Sequence, residues 1–269
     1  MKLRVMGHEA HVYTGGRPPG RGLPAVVLVH GAGMDHSVWI HQSRYLAHHG
    51  HEVLAVDLPG HGRSAGPCLT SIADMADWIT ALADAAGHER FALVGHSMGA
   101  LVALEAAARS PQRARTVVLL GVAAPMPVAD LLLDAARDDP AAANDMVTLW
   151  GLALRAQLGA NPAPGMWMTG GVMRLLERAG PGVLHADLRA CNDYTSGLEA
   201  AARIGCPVHL LLGGADRMTP RRAAMALTEA LTAPQVVDIP GCGHMSMVER
   251  PDAVLDAMVA ALAAPVIPA

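Results

Sequence analysis

The pentapeptide Gly95-His96-Ser97-Met98-Gly99 offers this chain a nucleophile. An apolar run, Phe91-Ala92-Leu93-Val94, precedes it, and a run rich in strong helix formers, Ala100 to Arg109, follows it. That context is a strand, a very tight turn and a helix. Gly95 and Gly99 lack the side chains that would collide at such a turn. The Ser97 hydroxyl is therefore pushed into the open, and the Met98 amide stands at a helix start. This is the nucleophile-elbow pattern. It predicts that Ser97 attacks an electrophilic carbon and that the Met98 N–H helps hold the resulting oxyanion.

A serine hydroxyl is a poor nucleophile at neutral pH. It needs an adjacent base, usually His, and the imidazolium that forms needs an oriented carboxylate. Two later loops supply both. Asp216 ends Leu210-Leu211-Leu212-Gly213-Gly214-Ala215-Asp216, an apolar strand running into a Gly-rich turn. His244 lies in Pro240-Gly241-Cys242-Gly243-His244, after the last strand and before the final helix. Asp238 falls inside a strand pattern and is a poorer acid. His96 is inside the elbow, where its side chain is expected to pack beneath the turn. His30 reads as a hydrogen-bonding prop for its own loop, and His61 and Arg63 as stabilisers of theirs.

These loops need elements to position them. Strand-like runs lie at Leu3–Val5, His11–Thr14, Ala25–His30, Glu52–Asp57, Phe91–Gly95, Thr116–Val122, Val208–Gly213 and Gln235–Ile239. The later ones are continuous apolar runs, as for parallel strands buried on both faces. Helices are expected near Val38–His49, Ile72–Ala86, Met98–Ser110, Arg221–Ala230 and Ala253–Leu262. Ser71 is a candidate N-cap for the second of these and Gly87 its stop. Alternation of the two types implies an open α/β sheet with helices on both faces. The alternation breaks between about Ala123 and Ala202. That stretch reads as several helices, including 141–158 and 171–179, separated by Asn161-Pro162-Ala163-Pro164-Gly165 and Gly180-Pro181-Gly182.

With these motifs in order, the chain resembles the α/β-hydrolase superfamily, in its compact, capped branch. The resemblance covers nearly the whole length outside 123–202. His30-Gly31-Ala32-Gly33 resembles the oxyanion loop after the third strand. Asp57-Leu58-Pro59-Gly60-His61-Gly62-Arg63-Ser64 resembles the turn after the fourth. Gly95–Gly99, Gly213–Asp216 and Gly243-His244 resemble the nucleophile, acid and base loops. The resemblance implies an eight-stranded, mostly parallel sheet, a core of residues 1–122 and 203–269, and a helical cap at 123–202. It implies Ser97, Asp216 and His244 as the catalytic residues, with Ala32 and Met98 as oxyanion N–H donors and Gly33 the lesser candidate. Some relatives carry the acid after the sixth strand. Here that place reads Gly121-Val122-Ala123-Ala124, without a carboxylate, which favours Asp216.

The pocket is expected between core loops and cap, lined by Met34, Trp39, Met98, Met126, Met146, Trp150, Trp167, Met168 and Met245. This set is apolar and adaptable. The arginines at 137, 155, 174, 178 and 189 are spaced like solvated faces. The leading expectation is hydrolysis of an ester or lactone of a largely apolar small molecule through an acyl-enzyme. Thioester cleavage, carbon–carbon bond hydrolysis and perhydrolysis use similar triads, and lyases can use the triad as a base. A non-catalytic ligand receptor is the reading of another class, and the intact Ser97, Asp216 and His244 weigh against it. Asp-nucleophile chemistries, dehalogenation and epoxide opening, are disfavoured by Ser97.

The whole chain agrees. It has 269 residues, 52% hydrophobic and 16% charged, enough to bury a sizeable core. A formal net charge of -4 and the lack of any basic run leave no footprint for nucleic acid or an anionic membrane. Met1 to Val5 lacks the apolar core of a signal peptide, and no stretch reaches the length of a membrane span. Cys68, Cys191, Cys206 and Cys242 have no C-x-x-C spacing and read as reduced thiols of a cytoplasmic protein. His48-His49-Gly50-His51 reads as a helix end, metal-ligand spacing is not seen, and the Gly-rich segments lack a nucleotide-binding context, so no cofactor is implied. Oligomeric state leaves no mark in the sequence.

Overall fold

The computed structural model describes residues 1–20, 22–159 and 166–263. Its sheet has eight strands: β1 Lys2–Val5, β2 His8–Tyr13, β3 Ala25–Val29, β4 Glu52–Val56, β5 Phe91–His96, β6 Ala114–Leu120, β7 Val208–Gly213 and β8 Gln235–Ile239. They lie in the order β1-β2-β4-β3-β5-β6-β7-β8. Only β1 with β2 and β2 with β4 pair antiparallel; every later pair is parallel. The expected α/β-hydrolase architecture is therefore the observed one. β2 starts three residues before its expected place. The Met6-Gly7 turn, with φ of 46° and 86°, closes a two-residue hairpin that pairs polar His8 and Glu9 with Val5 and Arg4.

All residues of β3, β4 and β5 are buried, as their apolar runs require. Alternate residues serve opposite faces. Val27, Val29, Leu54, Val56 and Leu93 join one core cluster, with helices α2 (Ile72–Ala85) and α3 (Met98–Arg109). Val26, Leu28, Val53, Ala55 and Val94 join the other, with α1 (Ile40–His48) and the C-terminal α12 (Pro251–Ala263). Ser71 caps α2 as expected: its side chain accepts the Asp74 N–H, and Gly87 follows at φ +81°.

Between β6 and β7 the described residues form α4 (Asp130–Asp138), α5 (Pro140–Gly151), α6 (Leu154–Gln157), α7 (Met168–Glu177), α8 (Val183–Asp193) and α9 (Gly197–Ala202). The helix expected over 141–158 is two helices. Leu152 turns extended (φ -95°, ψ 137°), and the Gly151 carbonyl accepts from His244 and Met245. A long-range partner thus ends α5. The expected separator at 161–165 lies outside the described residues. α9 packs on α3 and on α10 (Met225–Ala230), which, with a 3-10 turn at Arg221–Ala224, fills the expected helix between β7 and β8. A short α11 (Ser246–Glu249) follows β8. The loops after β3, β5, β7 and β8 all leave the carboxyl ends of parallel strands, so Ala32, Ser97, Asp216 and His244 emerge on one edge of the sheet, where open α/β folds bind ligands.

Candidate active site

Ser97 joins β5 to α3 at φ 54° and ψ -116°, a conformation that costs a residue with a Cβ about 1–3 kcal/mol. The surroundings enforce it. A Cβ on Gly95 would stand 2.0 Å from the Gly99 carbonyl oxygen, and one on Gly99 would stand 2.4 Å from the carbonyl oxygens of Val29 and His30. The Ser97 N–H donates to Leu120 O at 2.9 Å, and Ser97 O accepts from Ala100 N at 2.9 Å. The side chain stays half-buried at the start of α3, where first-turn N–H groups lack intrahelical acceptors and the helix dipole favours negative charge.

His244 and Asp216 are both buried and directly bonded, His244 Nδ1 to Asp216 Oδ2 at 2.9 Å. A carboxylate can only accept, so Nδ1 donates to it, and Nε2 is the ring nitrogen left to face a substrate. Asp216 Oδ1 takes the N–H groups of Met218 (2.8 Å) and Thr219 (2.9 Å), and Oδ2 takes the Thr219 hydroxyl at 2.8 Å. Burial pushes the Asp216 carboxyl up, but His244 and these donors outweigh it and hold it well below the usual carboxylate range.

The backbone around His244 is equally fixed. Its N–H and that of Met245 donate to Gly151 O at 2.8 and 3.2 Å. The Gly243 N–H donates to Glu249 Oε2 at 3.0 Å, and the Ala153 N–H donates to the same oxygen at 3.3 Å. His96 Nε2 donates to the His244 carbonyl at 3.0 Å from beneath the elbow, as expected for this ring. Burial and the nearby His244 push His96 down to about 3, so it is neutral.

The Gly31–Gly33 loop faces this pair. His30 Nδ1 donates to Gly31 O (2.9 Å), and Nε2 accepts the Leu58 N–H (3.2 Å). Burial, with the adjacent His61, pushes its ring down to about 4. It is a neutral prop. The Gly33 N–H is taken by Asp187 Oδ2 at 2.8 Å and the Met34 N–H by Gly31 O at 3.2 Å. Ala32 lines the cavity.

That cavity, of about 390 Å³, is lined by Ser97, His244, Ala32, Met126 and Trp150 from the expected set. Pro127, Val128, Leu132, Leu188, Cys191, Arg217, Met218 and Thr219 also line it and were not anticipated. Arg217, Met218 and Thr219 directly follow Asp216, so tracing the acid loop three residues further finds them. Leu132 and Leu188 sit on helices whose inward face only the tertiary structure reveals. Met34, Trp167, Met168 and Met245 instead line a separate hollow of about 250 Å³ without Ser97 or His244. Trp39 is a correction: its 3-10 turn, His36–Trp39, turns the ring into the core, fully buried. Met146 packs half-buried against that cluster and lines neither space. Arg137, Arg174 and Arg189 pair with surface carboxylates, and the cation at the main cavity is Arg217.

His11, His36 and Asp57 bring potential metal-ligand atoms within 4.8 Å of one another, a grouping that no local spacing announces. Asp57 is already engaged by the His36 N–H and ring (2.8 and 2.7 Å) and the Arg63 N–H (2.9 Å), which makes it a brace for its turn. Burial pushes Asp57 up, but these donors pull it down to about 2. All four cysteines are free. No helix among the described residues is long and apolar enough to cross a membrane.

A model of the alpha/beta hydrolase family matches residues 26–257. The RutD protein of Klebsiella pneumoniae, named provisionally as a carbamate hydrolase, is 29% identical over 255 residues, covering 87% of this chain and 89% of that one. A pimeloyl-[acyl-carrier protein] methyl ester esterase of Aromatoleum aromaticum is 29% identical over 251 residues, covering 85% and 94%. The crystal structure of the enol-lactonase from Burkholderia xenovorans matches with a TM-score of 0.86 at 22% identity, over 98% of this chain and 100% of that one, a likeness of fold.

Proposed function

The chain belongs to the alpha/beta hydrolase family, and from that premise we propose that it cleaves a carboxylic ester or lactone of a largely apolar small molecule through an acyl-enzyme on Ser97. One observation carries this reading. A strained, half-buried Ser97 shares a cavity with a His244 whose Nδ1 is locked on buried Asp216. The esterase name of the Aromatoleum relative supports the choice of ester.

His244 Nε2 takes the hydroxyl proton as Ser97 Oγ bonds to the carbonyl carbon, and the oxygen becomes an oxyanion held by the N–H groups of Ala32 and Met98. Collapse breaks the bond to the alcohol oxygen, which receives the proton from His244. Water then gives a proton to His244 and its oxygen to the acyl carbon, and a second collapse returns the proton to Ser97 and releases the acid. Asp216 orients His244 throughout and stays ionised. The segment 123–202 acts as the lid, with Met126, Leu132, Trp150 and Leu188 forming its apolar wall over the site.

Incubation with a fluorophosphonate, read by intact mass beside Ser97→Ala, tests this. One adduct on the wild type, none on the variant, and loss of p-nitrophenyl ester turnover in the variant are expected. Equal turnover by Ser97→Ala would sink the reading.

A further inference from the structure

Asp187 lies on α8, 154 positions along the chain from Gly33, and its side chain is fully buried. Its Oδ2 accepts from the Gly33 N–H at 2.8 Å and from His61 Nε2 at 2.8 Å. His61 Nδ1 stands 3.0 Å from Pro59 O. A carbonyl oxygen and a carboxylate can only accept, so both ring nitrogens of His61 must donate, and the ring is an imidazolium. Burial lowers His61, but Asp187 raises it further, in agreement with this geometry; Asp57 adds to the rise. The remaining ring nearby, His30, stands 4.8 Å away by centroid and is neutral in its own hydrogen bonds. Cys68 and Cys191 also lie in the field of Asp187 and stay protonated, each pushed up first by burial. Asp187 Oδ1 has no hydrogen-bond partner among the described residues. This helix therefore holds a costly buried charge whose only hydrogen-bonded oxygen serves one loop and one cation.

The same helix walls the cavity through Leu188 and Cys191. Gly33, at φ +67°, comes so close that a Cβ there would stand 3.0 Å from Leu184 Cδ1. Of the N–H groups of residues 32 to 34, those of Gly33 and Met34 are engaged.

We propose that Asp187 is a positioning residue for the oxyanion loop: as an anion paired with the His61 imidazolium, it takes the Gly33 N–H, sets the curvature of residues 31–34 and leaves the Ala32 N–H as the loop's donor. The proposal rests on the acyl-enzyme reading above. It makes α8 serve substrate fit and oxyanion geometry together, so a substrate that displaces the Leu188 wall also displaces the donor.

The test uses the full chain with a p-nitrophenyl ester and an alkylboronic acid, which forms a tetrahedral adduct on an activated serine. Asp187→Ala is expected to lower kcat roughly 100-fold, the scale of losing one oxyanion donor, and to weaken boronate binding by a similar factor. KM is expected to stay near the wild-type value. Asp187→Asn keeps an acceptor oxygen for Gly33 and should return most of the lost kcat. A folded Asp187→Ala with unchanged kcat, or one whose loss is all in KM, overturns the proposal in favour of a lid fastener. If Asp187→Ala does not fold, the double replacement His61→Leu with Asp187→Leu removes charge pair and acceptor together, a swap that buried pairs often tolerate; the same kcat loss is expected and an unchanged kcat overturns. Fluorophosphonate labelling of the wild type separates the two readings. An unlabelled wild type removes the Ser97 mechanism itself, whereas a labelled, active wild type with an indifferent Asp187→Ala removes only the role of Asp187.

Discussion

The N–H of His244 donates to the carbonyl oxygen of Gly151 at 2.8 Å, and this one bond joins the proposed base to the C-terminal end of α5. Glu249 reinforces the joint by accepting from Gly243 on one side and Ala153 on the other. The imidazole is therefore held by the helical segment between β6 and β7 as well as by the sheet.

Glu249→Ala should be expensive. It leaves the buried Gly243 and Ala153 N–H groups without their acceptor, at about 1–3 kcal/mol each. Urea unfolding should show the loss, and kcat should fall with it because the His244 loop loosens. Glu249→Gln keeps an acceptor oxygen and should recover most of the stability. Equal losses for both variants would mean that the charge, not the acceptor, is what matters.

The backbone strain at Ser97 separates two substitutions that both remove the hydroxyl. Ser97→Ala keeps a Cβ at φ 54° and should leave unfolding stability close to the wild type. Ser97→Gly releases the constraint and should gain about 1 kcal/mol. Both should lack turnover. Chemical denaturation of the three proteins checks the order.

Asp216→Asn should lower kcat by roughly 10⁴-fold, the cost found where an Asn in this role favours the wrong imidazole tautomer. KM should hardly move, since Asp216 lies behind His244. Steady-state kinetics with a fixed ester decides it; a loss confined to KM would place Asp216 in binding instead.

Stability should fall on mild acidification because of His30 and His96. Their folded values of about 4 and about 3 lie below the ordinary histidine value of about 6.5. Between those limits the unfolded chain binds more protons than the native one, so the contribution is complete above about pH 6.5 and lost as the pH falls toward the folded values. Each ring contributes up to about 1.4 kcal/mol per pH unit. His61, raised in the fold, acts in the opposite direction and only as the pH rises above 6.5. Urea titrations at pH 7, 6 and 5 should show the decline, and His96→Gln should make it shallower.

Much of this architecture is legible because it is local. Gly95, Ser97 and Gly99 announce their turn within five residues, and the apolar runs of β3 to β7 announce buried parallel strands. Asp216 and His244 can be placed from sequence because each sits in a Gly-containing turn just after a strand, β7 for Asp216 and β8 for His244. The wall of the cavity is not. Whether Trp39 faces the site depends on the rotation of a four-residue turn, too short for its periodicity to decide. Trp150 faces it from the last turn of the twelve-residue α5, whose end is set by contacts far along the chain. Asp187, Gly151 and Glu249 work through backbone groups of residues far along the chain, and nothing in their neighbouring sequence marks the partner. The break of 141–158 into α5 and α6 has the same origin, since the carbonyl that ends α5 is occupied by residue 244.

From β5 onward the strands lie side by side in the order of the chain, β5, β6, β7, β8. A chain made in that order would let the sheet grow outward along one border, each new strand meeting its template in the one before it. Until β8 docks, β7 presents that border open to any other extended chain, the situation that invites mispairing and aggregation. The nascent protein also lacks its proposed proton acceptor until residue 244 has been made. On the proposed mechanism, a truncated product that folds through β7 would carry Ser97 with nothing to activate it, inert as chemistry and adhesive as a surface.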